Sequence, residues 1–251
     1  MVMVKQSHRD LDISVLLTRP EAQSVRLAAS LRQRLGPRIQ PVISPLLSPV
    51  FHQPAIAVRQ YVAVVFTSET GVEAARRMRQ AGSALPLAAI CVGERTAIAA
   101  RSAGFQARSA DGNAEALVTM ILRNRPQGPL LYLHGRETQG DVAGRLNSAG
   151  LETVSALAYQ QDPQPLSGLA LDALAADRPL IVPIYSARTA RLFIDALPPT
   201  RRAPLLIAAI SDAVAQALMP VGSQALRVAA RPDAAAMLDT VELLLMAARG
   251  S

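Results

Sequence analysis

Residues 61–104 read YVAVVFTSETGVEAARRMRQAGSALPLAAICVGERTAIAARSAG, and residues 179–222 read PLIVPIYSARTARLFIDALPPTRRAPLLIAAISDAVAQALMPVG. Laid on each other without a gap, they set Ser68 on Ser186, Pro86 on Pro204 and Gly104 on Gly222, a constant spacing of 118 residues. In each copy an apolar strand ends at a serine suited to cap the next helix, and a proline-led strand then runs into an alanine-rich helix that stops near glycine. Strands alternating with helices predict βαβ units and parallel sheets, because the crossover helix covers a sheet face.

Outward from this block the same alternation continues. Short apolar runs fall at Ile13 to Leu17, Val62 to Phe66, Leu87 to Val92, Leu130 to Leu133, Leu180 to Ile184 and Leu205 to Ile210. Helical periodicity lies between them, at Glu21 to Leu35, Glu69 to Gln80, Glu94 to Ser102, Ala187 to Leu197 and Asp212 to Leu218. A looser echo relates Leu16 to Gly36 with Leu131 to Gly150, and an extended stretch follows each glycine. Prolines at 37, 41, 45 and 49 exclude helix from the first of these stretches. Two extended segments around a central block predict an α/β protein of two parallel-sheet domains. Domain 1 comprises residues 1–36 and 163–251, and domain 2 is the inserted block 46–150. Residues 37–45 and 151–162 are expected to join them as a two-stranded antiparallel linker.

With 251 residues the chain exceeds one ordinary core, which agrees with two domains. Half of it is hydrophobic but only 3% is aromatic and none is Trp, so Ala, Leu, Val and Ile must build the core. The longest apolar runs fall well short of the roughly 20 residues that span a bilayer. Met1 to Asp12 carries Lys5, His8, Arg9 and Asp10 with no apolar stretch behind it, so no secretory signal is expected. Cys91 is the single cysteine and sits in an apolar strand, which predicts a core thiol in a reducing compartment. Together these predict a cytoplasmic chain. The net charge of +7 fits three partners: nucleic acid, a polycarboxylate or phosphate ligand, or water alone. Nucleic acid fits worst, since the basic residues are dispersed and few aromatics exist to stack on bases.

Ligands of open parallel sheets bind beyond the strands' carboxyl ends, where helix starts offer free N–H groups. Those loops read Thr18-Arg19-Pro20, Thr67-Ser68-Glu69-Thr70, Gly93-Glu94-Arg95-Thr96, His134-Gly135-Arg136, Tyr185-Ser186-Ala187-Arg188 and Ser211-Asp212. Each alone is better explained by helix capping; together, facing one cleft, they would make a surface of hydroxyls, Arg and amides suited to carboxylates. No G-x-G-x-x-G or G-x-x-x-x-G-K-[ST] cradle for a nucleotide is present. His8, His52 and His134 lack partners at ligand spacing, so no metal is expected, and no G-x-S-x-G elbow marks a hydrolase.

At these loops the sequence resembles the uroporphyrinogen-III synthase family. The resemblance rests on VLLTRPEAQSVRLAASL, VVFTSETGVEAA, CVGERTAIAARSAG, GRETQGDVAGRLNSAGLETVSALAY, IVPIYSARTARLF and AAISDAVAQAL, in that order over nearly the whole chain. It implies two α/β domains joined by a two-stranded ladder, with the active site in the cleft. It also implies a lyase that needs no cofactor, cyclising hydroxymethylbilane to uroporphyrinogen III with loss of water and inversion of ring D, in heme and other tetrapyrrole biosynthesis. Because the bilane also cyclises unaided to the uninverted isomer, the main task is to hold one reactive conformation.

Residue by residue, the resemblance implies a catalytic role for Tyr159, whose phenol could donate to the departing hydroxyl; an interface tyrosine is the plain alternative. It implies substrate contacts at Thr18, Arg19, Thr67, Ser68, Gly93, Thr96, Arg136, Ser186 and Arg188. One departure stands out: where the family commonly has Gly then Thr, this chain has Ser211 and Asp212, and a carboxylate there would repel the substrate's own. The implied state is a monomer, with transient contact to the upstream bilane-forming enzyme. A non-catalytic two-lobed binding module, and after it a nucleotide-binding regulator, are the competing functions.

Overall fold

The computed structural model describes residues 13–37, 39–57, 60–138 and 140–249. The expectation about an export signal in Met1 to Asp12 concerns residues outside that set. The chain divides into two compact units, Met1–Ser48 with Pro163–Ser251, and Pro49–Asp162. In chain order come β1 (Ile13–Leu17), α1 (Glu21–Leu35), β2 (Ile39–Ile43) and β3 (Leu47–Phe51). The second unit continues with β4 (Ala63–Phe66), α2 (Glu69–Gln80), β5 (Ala88–Cys91), α3 (Glu94–Ser102), β6 (Gln106–Ser109), α4 (Ala114–Asn124), β7 (Leu130–Gly135), α5 (Val142–Ser148) and β8 (Thr153–Pro163). The first unit resumes with α6 (Gly168–Ala175), β9 (Leu180–Ile184), α7 (Ala187–Ala196), β10 (Leu205–Ala209), α8 (Asp212–Leu218), β11 (Ala225–Val228) and α9 (Ala234–Arg249).

The first unit's sheet runs β11-β10-β9-β1-β2 and the second's β3-β8-β7-β4-β5-β6. All neighbours in the first sheet are parallel, as are those from β8 to β6 in the second. The 118-residue spacing maps β4-β5-β6 onto β9-β10-β11, and β7 and β8 then take the places of β1 and β2. The two sheets therefore share one strand order while the chain visits their strands in a different sequence.

One expectation is corrected. Residues 37–45 do not pair with 151–162; Ile39–Ile43 instead forms β2, parallel to β1 with Ile39 opposite Ile13. The partner of β8 is β3, with the His52 N–H donating to the Ala158 carbonyl at 2.8 Å and the Gln164 N–H to the Leu46 carbonyl at 3.0 Å. Rising numbers on one strand meet falling numbers on the other, so this pair is antiparallel. The prolines explain the placement, since β2 and β3 both end their sheets and Pro41 and Pro49 need no ladder partner on the open side.

Both units bury their central strands on two faces, as parallel sheets require. Every residue of β4, β9 and β10 is buried. Alternation sends Val64, Phe66, Leu131 and Leu133 to a layer holding Val72, Met78 and Phe105, while Val65, Leu130 and Tyr132 meet Leu117, Ile121 and Leu146. Phe66 and Phe105 pack edge to face at 5.3 Å. In the first unit Leu180, Val182 and Leu205 pack on Leu174 and Phe193, and Leu17, Ile181 and Leu206 on Leu31, Met237 and Leu244. No helix among the described residues is long and apolar enough to cross a membrane.

Candidate active site

In the second unit the ends of β4 and β7 converge on one phenol carried by β8. The β7·β8 register runs Leu133 to Ala156 and His134 to Leu157, then skips a residue so that Gly135 faces Tyr159. The extra residue, Ala158, makes a bulge, which turns the next side chain relative to the ladder. Tyr159 is 8% exposed, and its ring crosses the backbone of Gly135. A Cβ on residue 135 would lie 2.6 Å from Cε2 and Cζ and 2.9 Å from the phenol oxygen, so only glycine admits the ring. The Arg136 N–H donates to the Tyr159 carbonyl at 3.0 Å and closes this corner.

Beyond Gly135 the phenol reaches the end of β4. Tyr159 Oη is 2.8 Å from Ser68 Oγ. Ser68 is the N-cap of α2, and its oxygen accepts the Gly71 N–H at 3.0 Å. Burial pushes the Tyr159 phenol above its ordinary pKa, the Ser68 bond lowers it and the nearby Glu137 carboxylate raises it. The preceding residue, Thr67, serves the other face: its Oγ1 is 3.2 Å from the hydroxyl of buried Tyr132, which leans on His134 at 5.1 Å. Burial also raises the Tyr132 pKa, against the lowering effect of Thr67.

At the end of neighbouring β5, Gly93 occupies the N-cap of α3 without a side-chain bond. Thr96 lies in the first turn and is 6% exposed. Arg95 and Glu69 link the starts of α3 and α2 at 2.9 Å. Helix starts leave their first N–H groups without intrahelical partners, so α2 and α3 both present donors at these strand ends.

The first unit holds a different set. Thr18, after β1, is 1% exposed, and its Oγ1 has no hydrogen-bond partner. The Arg19 guanidinium sits 4.0 Å over the Tyr185 ring at the end of adjacent β9. Burial raises the Tyr185 pKa while Arg19 lowers it. Ser186 caps α7, accepting the Thr189 N–H at 3.1 Å with Thr189 Oγ1 at 2.9 Å. Arg188 follows in the first turn, half-buried. Ser211 occupies the N-cap of α8 but makes no side-chain cap bond, and Asp212 is exposed beside it.

Thus Ser68 and Tyr159 meet at the ends of β4 and β7, with Thr67 beside them bonded to Tyr132; Gly93 and Thr96 follow β5, and the exposed Arg136 follows β7. Thr18, Arg19, Ser186 and Arg188 gather at β1 and β9. Gly135 and Tyr185 lie in loops expected to face a ligand but carried no role of their own, and Tyr132 was not among the expected site residues. A glycine ending an otherwise apolar strand was the available signal for the first.

The chain matches the family described as Uroporphyrinogen-III synthase HemD over residues 25–239. No curated protein sequence is a significant match. A uroporphyrinogen-III synthetase from Helicobacter pylori is similar in structure with a TM-score of 0.62 at 17% identity, covering 92% of this chain and 99% of that one. A mutant uroporphyrinogen III synthase from Thermus thermophilus gives a TM-score of 0.47 at 18% identity, covering 94% and 99%. The Helicobacter likeness supports the α/β architecture with mostly parallel sheets.

Proposed function

This chain belongs to the uroporphyrinogen-III synthase family, and on that premise we propose how its residues divide the work. The reaction is the cofactor-independent cyclisation of hydroxymethylbilane, a lyase step of porphyrin and heme biosynthesis. Tyr159 donates to the departing hydroxyl. As the carbon–oxygen bond breaks, water leaves with the phenol proton, the pyrrole nitrogen supplies the electron pair, and loss of its N–H proton leaves a neutral azafulvene and restores the phenol. A positioned general acid contributes roughly 10²–10⁴-fold. The observation that carries this role is the buried Tyr159 phenol, set by β8 against the carboxyl ends of β4 and β7.

The remaining residues of each unit are suited to the substrate's carboxylates. In the second unit Arg136 supplies charge and the helix starts at Ser68 and Gly93 supply amide donors, flanked by Thr67 and Thr96; in the first, Arg19 and Arg188 supply charge and the helix start at Ser186 supplies donors, flanked by Thr18. Each helix start is worth about 0.3–1 kcal/mol to an exposed anion, so binding spreads over many weak contacts. Exposed Asp212 opposes carboxylate binding at α8, which leaves that loop outside the contact set. The working form is a monomer in the cytoplasm that receives its bilane from the enzyme that makes it; buried, unpaired Cys91 supports a reducing compartment.

The test is to give the purified protein fresh hydroxymethylbilane and separate the oxidised products. Isomer III is expected from the wild type, with far slower formation by Tyr159→Phe. Unchanged turnover in that variant would remove Tyr159 from the role.

A further inference from the structure

A phenol can donate to substrate only if its own hydrogen is free, and the atoms around Tyr159 Oη decide that. Ser68 Oγ lies 2.8 Å away. If Tyr159 donated to Ser68, its proton would be spent inside the protein. The Ser68 oxygen accepts the Gly71 N–H at 3.0 Å and keeps a second lone pair and its own hydrogen for Tyr159 Oη, so either hydroxyl of that pair can donate. With Ser68 as the donor of that pair the bonds run in one direction, the arrangement that leaves the phenol hydrogen for the substrate: Gly71 N–H to Ser68, Ser68 O–H to Tyr159, Tyr159 O–H to the site.

We propose that Ser68 and Gly135 are positioning residues for the reaction, Ser68 coupling the start of α2 to the phenol and Gly135 leaving the space in which the phenol can reach Ser68. Resting on Tyr159 as the donor, this gives Ser68 a task other than touching carboxylate. Bonds in such a chain polarise one another, and the positive end of α2 stabilises the negative charge that grows on the phenol oxygen as its proton leaves. Gly71 is closely placed too, though with more room than Gly135, since a Cβ there would lie 3.2 Å from the Leu133 carbonyl. Gly135 completes the arrangement because any side chain would meet the ring and push its hydroxyl off Ser68.

Three variants of Ser68 separate this task from simple capping. Ser68→Ala should lower kcat about tenfold or more with KM within about twofold. Ser68→Asp caps the helix but has no hydroxyl to donate, so it should keep the wild-type melting temperature and lose kcat equally. Ser68→Thr keeps both features and should recover kcat to within about threefold of wild type. The alkaline limb of the kcat profile should move to higher pH in Ser68→Ala, because the bond that lowers the phenol pKa is gone. Gly135→Ala should lower kcat in the wild-type background and add no further loss in Tyr159→Phe.

Full kcat in Ser68→Asp would reduce Ser68 to a cap and overturn its half of the proposal. Equal losses from Gly135→Ala in both backgrounds would overturn the other half. If Tyr159→Phe lowers kcat while Ser68→Ala does not, the coupling is wrong and the donor stands. Wild-type kcat in Tyr159→Phe removes the donor itself.

Discussion

The Tyr159 ring occupies the space that a side chain on residue 135 would need, with Cε2 and Cζ 2.6 Å from where that Cβ would stand. The two residues are opposite each other only because β8 carries one residue more than β7 at this point. A single-residue bulge thus decides which groups share the end of the second sheet.

The phenol should stay protonated across the ordinary working range. Burial is the largest influence on Tyr159 and raises its pKa above the usual value near 10. Since the protonated form is the donor, loss of kcat from this group is expected only above about pH 10. Tyr132 and Tyr185 are raised in the same direction, also by burial. For a raised pKa the stabilisation is full below the unfolded value and is lost as pH rises through the folded one. Denaturation monitored at pH 8, 10 and 11 should show stability falling over the last interval.

Glu73 provides an acid-side counterpart. Its bonds to Arg76 first, then Arg77, outweigh burial and hold the carboxyl at about 2. A depressed pKa gives stability that is present above the unfolded value and lost as pH falls toward the folded one. Glu73 lies on a solvated helix face, so Glu73→Gln should cost under about 1 kcal/mol at pH 7. Urea melts of the two proteins should converge near pH 2.

Cys91 should be chemically silent in the folded protein. It is fully buried, and burial pushes its thiol up to about 11. A thiolate-specific reagent added at pH 8 should label nothing within minutes and should label one group once the protein is denatured. Rapid native labelling would show that β5 opens to solvent.

The serine caps should differ in worth. Ser186 accepts the Thr189 N–H, whereas Ser211 makes no such bond. Ser186→Ala should destabilise by about 1 kcal/mol and Ser211→Ala by about half a kcal/mol or less, measured by denaturant melts.

Much of this architecture can be read from residue order alone, because central strands buried on both faces appear as near-continuous apolar runs. Ile13 to Leu17 and Leu180 to Ile184 are such runs, and they are β1 and β9 to the residue. The edge strands are hidden for the opposite reason. Gln106–Ser109 and Ala225–Val228 end their sheets and alternate or mix exposed positions, so β6 and β11 carry no apolar signature. The pairing of β3 rather than β2 with β8 depended on which edge each extended segment could complete, a choice that proline spacing does not make. At the site, Thr67 and Ser68 were visible as polar residues ending a strand, and Tyr159 through the resemblance alone. The meeting of Ser68 and Tyr159 beside Gly135 was not visible, because a bulge shifts register without leaving a composition signal.

The shared strand order of the two sheets, reached along different chain paths, has a consequence for biosynthesis. Ser14 pairs with Leu180, whereas the parallel pairs of the second sheet, such as Val64 with Ala89 and Leu131, all lie between residues 63 and 159. On the ribosome β1 has only β2 beside it until β9 is made, roughly 10–30 s later at ordinary elongation rates. An isolated pair of strands is marginal in water, so the apolar Ile13–Leu17 waits uncovered while the later-made sheet is already able to close. The nascent chain is therefore most exposed to aggregation not at its end but through the long interval in which its first strand has no centre to join.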